Sequence, residues 1–137
     1  MQATNWNRKA LLGSFDKPLR PLFPVLVLLS DLVLLGSGAA VVLLATSVAL
    51  KLLGTVLVTA GIVRLFMVGH DACHGSFSGN KKLNAVCGRI AFLPSMTAFS
   101  LWQVGHNTAH HGFNNLKGRD QVWAPLSKVE FDALPRY

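Results

Sequence analysis

Acidic residues are scarce in this chain: six aspartates and glutamates face 13 lysines and arginines, and the formal net charge is +7. Such a balance suits a nucleic-acid partner only when the basic side chains form a continuous patch or stripe. Here the basic residues instead flank one apolar block, with Arg8, Lys9, Lys17 and Arg20 before it and Lys81, Lys82 and Arg89 after it. The sequence therefore argues against nucleic-acid binding.

Cysteine is nearly absent, being represented by Cys73 and Cys87 alone. The two residues do not form a CxxC pair, so the pattern does not indicate a thiolate zinc site. Both follow the apolar block, in a region that the charge distribution places in the cytoplasm, where structural disulfides are rare. A disulfide framework is therefore not expected.

Charge of either sign is missing from most of residues 21–69, where 49 positions include only Asp31, Lys51 and Arg64. A transmembrane helix needs about 20 mostly apolar residues, so this block can hold two. It begins too late and continues too long for a cleaved signal peptide. The sequence predicts an integral membrane protein.

We predict the two spans at about Leu22–Leu43 and Val48–Gly69, with the turn around Ala45–Lys51. Because basic residues flank both ends of the block, the positive-inside rule places both flanks in the cytoplasm and requires an even number of spans. The predicted domain has a cytoplasmic arm at 1–21, two transmembrane helices at about 22–69, and a cytoplasmic or interfacial region at 70–137. The predicted fold class is all-α, a multi-pass helical membrane bundle with a cytoplasmic N-terminus.

Asp31 would lie near the middle of the bilayer, where a carboxylate is costly. We interpret it as a protonated or locally hydrogen-bonded group assisted by Ser30; the alternative is a polar partner inside the bundle. Arg64 lies near the cytoplasmic end of the second span and could extend its side chain to the interface. After that span, Leu83–Gly105 is apolar but interrupted, and favours interfacial or re-entrant structure over a third full span.

Histidine is absent from the first 69 residues and from the last 26, and all five histidines fall in two short clusters: His70 and His74, then His106, His110 and His111. Histidines four residues apart share one face of an α-helix. Imidazole suits iron, zinc, copper and nickel. The two clusters, predicted at the same membrane face, therefore indicate a metal site of one or two ions.

The predicted second histidine helix assigns different directions to its three ligands. His106 and His110 would share a face, while His111 would be rotated by about 100° from His110 and could reach a second metal. Asp71 and Asn107, each next to a histidine, could accept hydrogen bonds from ring nitrogens and orient them.

The segment His70–His74 reads HDACH, one methylene from the HExxH motif of zinc proteases, in which the glutamate is the general base. An intramembrane zinc metalloprotease is therefore an alternative. Aspartate is shorter than that mechanism needs, and a single zinc leaves the second cluster unexplained. A non-enzymatic metal- or haem-binding membrane protein is a further alternative, because paired histidines can ligate haem axially.

The segments His70–Phe77 (HDACHGSF) and His106–Gly112 (HNTAHHG) resemble the first two histidine boxes of the membrane fatty acid desaturases. The closer resemblance is to the acyl-lipid Δ12/ω-6 branch, and it extends from about Ile62 through Leu126. The paired spans before the first box fit the layout of that family.

The resemblance implies an O₂-dependent enzyme that introduces a cis double bond into an acyl chain at a di-iron centre. It implies five iron ligands, His70, His74, His106, His110 and His111, with Asp71 and Asn107 as supporting residues. It also implies a fatty acyl lipid substrate, a lipid bilayer and an electron donor of the ferredoxin or cytochrome b5 type. A fatty acyl hydroxylase or ketolase of the same superfamily is an alternative.

The sequence departs from the family pattern because a third histidine box and a second pair of spans are missing from these 137 residues. Five of the eight box histidines of the family are present. We therefore expect this sequence to be the N-terminal part of a longer desaturase, and the 137-residue chain to be inactive by itself.

Overall fold

A computed structural model describes residues 22–120 and 122–135, and the predicted cytoplasmic arm at 1–21 lies outside this part of the chain. The described residues contain helices and loops but no strand, which confirms the all-α prediction. In chain order the elements are α1 (Phe23–Leu44), α2 (Val48–Cys73), α3 (Lys81–Phe92), a 3₁₀ turn (Leu93–Ser95), α4 (Phe99–Val104), a π-helical segment (Gly105–His110) and α5 (Lys128–Asp132).

Among the described residues, helices α1 and α2 are the two single helices that are long and apolar enough to cross a membrane, with 22 and 26 residues. They match the predicted spans closely, although α2 continues four residues past Gly69 to Cys73. The turn between them occupies residues 45–47, so Lys51 lies inside α2 and not in the turn. The chain is an integral membrane protein.

Glycines allow α1 and α2 to approach until their backbones touch. A Cβ atom added to Gly38 would lie 2.7 Å from the backbone nitrogen of Val58, and one added to Gly61 would lie 2.9 Å from the Cα of Leu35. Small residues promote helix association in membranes because close approach maximises van der Waals contact where the hydrophobic effect is absent. These glycines therefore set the spacing of the helical hairpin.

Asp31 and Arg64 form an ion pair between α1 and α2. The Nε of Arg64 donates to Oδ1 of Asp31 at 2.6 Å, while the side chains are 56% and 3% exposed. Ser30 donates to the carbonyl of Val27 and does not bond to Asp31. The interpretation of Asp31 as a locally satisfied carboxyl was therefore wrong, and its partner is the half-exposed side chain of Arg64 inside the hairpin. Asp31 is buried on α1 and faces the cationic side chain of Arg64 on α2, so the two groups form a pair.

The chain after α2 folds back over the end of that helix. Asn80 caps α3 by accepting hydrogen bonds from the backbone N–H groups of Lys82 and Leu83. The helices Lys81–Ser95 and Phe99–His110 meet at 106°, the geometry of a broken span or a re-entrant loop. The apolar stretch is thus two helices joined at a sharp bend.

Two further glycines receive aromatic rings that hold this bend against α2. A Cβ on Gly69 would lie 2.3 Å from the ring of Phe92, and one on Gly88 would lie 2.1 Å from the ring of Phe99. Phe92 is fully buried and Phe99 nearly so. This packing fixes the start of α4 and, through it, places the second histidine cluster over the first.

Candidate metal centre

The first histidine cluster is carried by the last turn of α2. His70 lies within the helix and His74 follows its end at Cys73. Their ring centroids are 4.5 Å apart, as expected for residues separated by one helical turn. Gly75, with a φ of +72°, then turns the chain away from the helix, a conformation that glycine adopts without steric cost.

The second cluster lies on a π-helical segment and not on the predicted α-helix. The backbone N–H of His111 donates to the carbonyl of His106 at 2.9 Å, an i to i+5 bond. This winding brings His106 and His111 to one face, with their Nε2 atoms 3.1 Å apart. The expectation that His106 and His110 would form the facing pair was therefore wrong, because it assumed α-helical winding.

Four imidazoles converge at the meeting point of the two clusters: His70, His74, His106 and His111. One ring nitrogen from each lies within 4.8 Å of the other three. The Nε2 of His70 is 3.0 Å from that of His106 and 3.2 Å from that of His74. Nitrogens bound at about 2.0–2.1 Å to one ion are separated by about 3.0 Å at right angles and about 3.4 Å at tetrahedral angles. The short Nε2–Nε2 contacts of His70 with His106 and with His74 therefore match the spacing of ligands on a transition-metal ion.

The donor set also fits a metal better than a network of hydrogen bonds. In a neutral imidazole each ring nitrogen is either one N–H donor or one lone-pair acceptor, so the three Nε2–Nε2 contacts of the cluster cannot all be hydrogen bonds at once. The Nδ1 atom of His106 is buried without a hydrogen-bond partner in the described residues. Burial lowers the pKa of His74, and the nearby His70 and His111 lower it further, against a smaller opposite effect of Asp71. The site thus favours neutral rings, the protonation state that binds metals.

The two supporting residues that the sequence suggested have different contacts. Nδ1 of His70 lies 3.2 Å from Oδ1 of Asp71, so Asp71 lies where it can orient that ring. The side-chain amide of Asn107 donates to the carbonyl of Cys73 at 3.1 Å. Asn107 therefore ties the π-helical segment to the end of α2, and its oxygen makes no hydrogen bond to His106.

His110 is separate from the four-histidine cluster and has a partner that sequence reasoning missed. Its Nδ1 atom lies 2.9 Å from Oδ1 of Asp120, whose side chain is fully buried. Asp120 is ten residues away in a polar stretch without a helical period, so no spacing rule connects the two. The only available signal was an isolated acidic residue in a chain with few of them.

Asp120 is held as a carboxylate by four hydrogen-bond donors. Burial alone would raise its pKa, but hydrogen bonds from His110 and from the backbone N–H groups of Val122, Trp123 and Asn115 outweigh burial and hold the pKa below its usual range. A carboxylate that accepts several such bonds is stabilised in the charged form.

An apolar cavity of about 490 Å³ adjoins the second cluster. Its walls include the side chains of Leu101, Trp102 and Val122, and the rings of His106 and His110 lie at its edge. Trp102 stacks on His106 with ring centroids 5.0 Å apart and planes inclined by 19°. An apolar ligand in this cavity would therefore contact the histidine centre directly.

These features define a membrane protein with a cluster of imidazoles, able to hold a metal ion, at one end of a helical hairpin. Residues 46–137 match the family model for fatty acid desaturases, and the chain belongs to that family. This assignment confirms the resemblance that the two histidine boxes indicated.

Three curated relatives illustrate the similarity. The chain is 36% identical over 74 residues to a chloroplastic omega-6 fatty acid desaturase of Glycine max, covering 54% of this chain and 17% of the relative. It is 40% identical over 73 residues to an omega-3 fatty acid desaturase of Caenorhabditis elegans, covering 53% and 18%. It is 39% identical over 72 residues to an sn-1 oleoyl-lipid 12-desaturase of Arthrospira platensis, covering 53% and 20%.

The chain thus spans a fifth or less of the length of these relatives. No solved structure matches it.

Proposed function

We propose that this chain supplies part of the ligand set of a di-iron acyl-lipid desaturase. The observation that carries the proposal is the convergence of four histidine nitrogens within 4.8 Å, in a member of the fatty acid desaturase family. When bound, iron would supply O₂ activation and the oxidising power that removes two hydrogens from adjacent acyl carbons to leave a cis double bond.

The chain's own residues would hold two iron ions in different ways. His70, His74, His106 and His111 would bind the first ion, because their nitrogens already converge. His110 would bind the second, because Asp120 contacts its Nδ1, which leaves Nε2 as the ligand atom, and because His110 is not one of the four histidines that converge. Asp71 would orient His70 by accepting a hydrogen bond from its Nδ1–H.

The apolar cavity would bind the acyl chain beside the centre. Its lining is mostly apolar, and His106 and His110 reach its edge, so a methylene chain lying there would pass the metal ligands. Exclusion of water by such walls protects reactive oxygen chemistry from side reactions. The polar head of the lipid would remain at the membrane interface, with the histidine centre on the cytoplasmic side.

Electron balance requires a further partner. Removal of two hydrogens yields two electrons, whereas reduction of O₂ to two waters consumes four. The remaining two electrons would come from a donor of the ferredoxin or cytochrome b5 type. His110 is the one histidine of this chain outside the cluster, so we also propose that further ligands of the second ion lie outside these 137 residues. The chain by itself would then be inactive.

Metal analysis and lipid analysis of the full-length protein test this function. Expressed in a host and purified in detergent, it should contain about two irons per chain, and the host lipids should gain a double bond that is absent from a strain carrying His70→Ala. One zinc per chain would favour the protease alternative, and a haem Soret band the haem alternative; either would contradict the proposal. A hydroxylated or ketolated product would be consistent with the proposed metal centre, but it would show that the reaction is not desaturation.

A further inference from the structure

Asp120 is a buried carboxylate that the four-histidine cluster does not use. It lies in the loop that follows the second cluster. A carboxylate with no exposed side-chain surface requires compensating donors. Its donors are of two kinds, one imidazole and three backbone N–H groups.

The backbone donors fix the direction of this carboxylate. Oδ1 accepts hydrogen bonds from the N–H groups of Val122 at 2.9 Å and Trp123 at 3.2 Å. Oδ2 accepts from the N–H of Asn115 at 3.2 Å. Because three bonds from two stretches of backbone hold both oxygens, Asp120 cannot rotate away from His110.

The contact with His110 then determines the tautomer of that ring. An ionised carboxylate only accepts hydrogen bonds, so the Nδ1 atom of His110 must carry the proton across the 2.9 Å contact. In the neutral ring the lone pair is left on Nε2, the atom that a metal would bind. A fixed partner on one ring nitrogen sets both the tautomer and the ring plane.

Asp71 provides a comparison within the same chain. It also faces a histidine Nδ1, but the contact is longer, 3.2 Å, and its side chain is 52% exposed. Solvent competes for such a carboxylate and it can leave its histidine. The buried Asp120 holds His110 much more firmly.

We propose that Asp120 is a positioning residue for His110, and that it fixes the ring so that Nε2 is presented as a metal ligand. The proposal rests on the proposed metal function of His110 and adds to it the residue that makes this ligand competent. The carboxylate also anchors the backbone of Val122, which lines the apolar cavity beside His110. It thus links a metal ligand to the wall of the substrate site.

The tautomer of His110 in the metal-free protein provides the first test. The full-length protein would be labelled with ¹⁵N-histidine, incorporated into lipid nanodiscs and freed of metal with a chelator. The His110 signals would be assigned by their loss in His110→Gln. At pH 7.5 long-range ¹H–¹⁵N spectra should show a protonated Nδ1 and an unprotonated Nε2. A protonated Nε2 would overturn the proposal, whether or not the protein binds iron.

Metal affinity provides the second test, with Co²⁺ as the probe. Asp120→Asn should weaken the second Co²⁺ site by about 10–100-fold, the usual effect of losing the partner of a metal-bound histidine. The matched control is Asp132→Asn, because Asp132 pairs with Lys128 on the exposed helix α5. This control should bind Co²⁺ as the unmodified protein does.

A double-variant comparison separates positioning from a general effect on folding. If Asp120 acts through His110, Asp120→Asn should weaken binding no further when His110→Gln is already present. Equal Co²⁺ affinity of Asp120→Asn and the unmodified protein, or additive losses in the double variant, would overturn the proposal. Should the unmodified protein bind no Co²⁺, the proposed function fails, while the tautomer measurement still tests the role of Asp120.

Discussion

His106 and His111 lie five residues apart in the chain, yet their Nε2 atoms are 3.1 Å from each other. In an α-helix five residues turn the chain through about 500°, so the two side chains would diverge by about 140°. The π-helical winding of residues 105–110 reduces this divergence, because each residue of a π-helix turns the chain through a smaller angle. As a result His111, and not His110 as in an α-helix, lies with His106 in the four-histidine cluster.

This exchange gives a prediction that distinguishes the two histidines. In the full-length protein His111→Ala should weaken the metal site shared with His70 by more than about 100-fold, a larger effect than loss of an outer partner. His110→Ala should leave that site occupied and weaken metal binding at the second one. Metal content per chain, measured on matched preparations, checks both. The opposite pattern would indicate that the segment is α-helical in the metal-bound protein.

The approximate layout of the chain could be predicted from the sequence because it depends on the average apolar content of long stretches. Two spans need only long apolar runs, and their bounds in the structure, Phe23–Leu44 and Val48–Cys73, differ by a few residues from those expected. Helical winding is different, because one extra residue in a turn is a local event that leaves no mark in composition. The facing pair of His106 and His111 was therefore missed.

The lowered pKa of His74 predicts how the metal-free protein responds to acid. The ordinary pKa of histidine is 6.5, and burial and the neighbouring imidazoles lower the folded-state pKa of His74 below it. Between these two values the unfolded chain binds more protons than the folded one, so stability falls as the pH falls. The melting temperature of the metal-free protein should drop from pH 7.5 to pH 5.5, and less so in His74→Gln. An equal drop in both proteins would contradict this.

The glycine contact between α1 and α2 predicts opposite outcomes for two neighbouring substitutions. Gly38→Ala places a methyl group 2.7 Å from the backbone nitrogen of Val58 and should destabilise the hairpin by about 1–3 kcal/mol, the usual range for overpacking. Gly36→Ala meets nothing within 4 Å and should be neutral or stabilising by up to about 1 kcal/mol. Thermal unfolding in detergent compares them, and equal effects would argue against the contact.

The Asp31–Arg64 pair predicts a loss that a second substitution repairs. Arg64→Leu leaves the carboxylate of Asp31 buried and unpaired. Because Arg64 is half-exposed, we expect a loss on the order of 2 kcal/mol, between the values for exposed and fully buried pairs. Adding Asp31→Leu should restore most of the lost stability, because no buried carboxylate then remains unpaired.

The exposed Lys128–Asp132 pair is the matched control, and Lys128→Leu should change stability by less than about 1 kcal/mol. Stability would be measured by thermal unfolding in detergent. If the double variant at residues 31 and 64 were no more stable than Arg64→Leu alone, the pair would not account for the loss.

The polar contacts of the site were the least predictable part of the structure. The i, i+4 rule places His70 and His74 together, but no periodicity connects His110 to Asp120 or Asn107 to the carbonyl of Cys73. Both contacts depend on how a loop and a bent helix pair close over α2. That closure is decided by tertiary packing, in which Gly69 and Gly88 accept the rings of Phe92 and Phe99.

The ion pair between α1 and α2 also bears on how the protein enters its membrane. An ionised Asp31 in α1 alone would raise the free energy of insertion by about 2.5–3.5 kcal/mol, as insertion scales give for a central aspartate. Its partner Arg64 is made only after about two thirds of α2 has been synthesised. The first helix therefore gains its counter-ion late, and insertion of the hairpin as one unit avoids a stage in which that charge faces lipid alone.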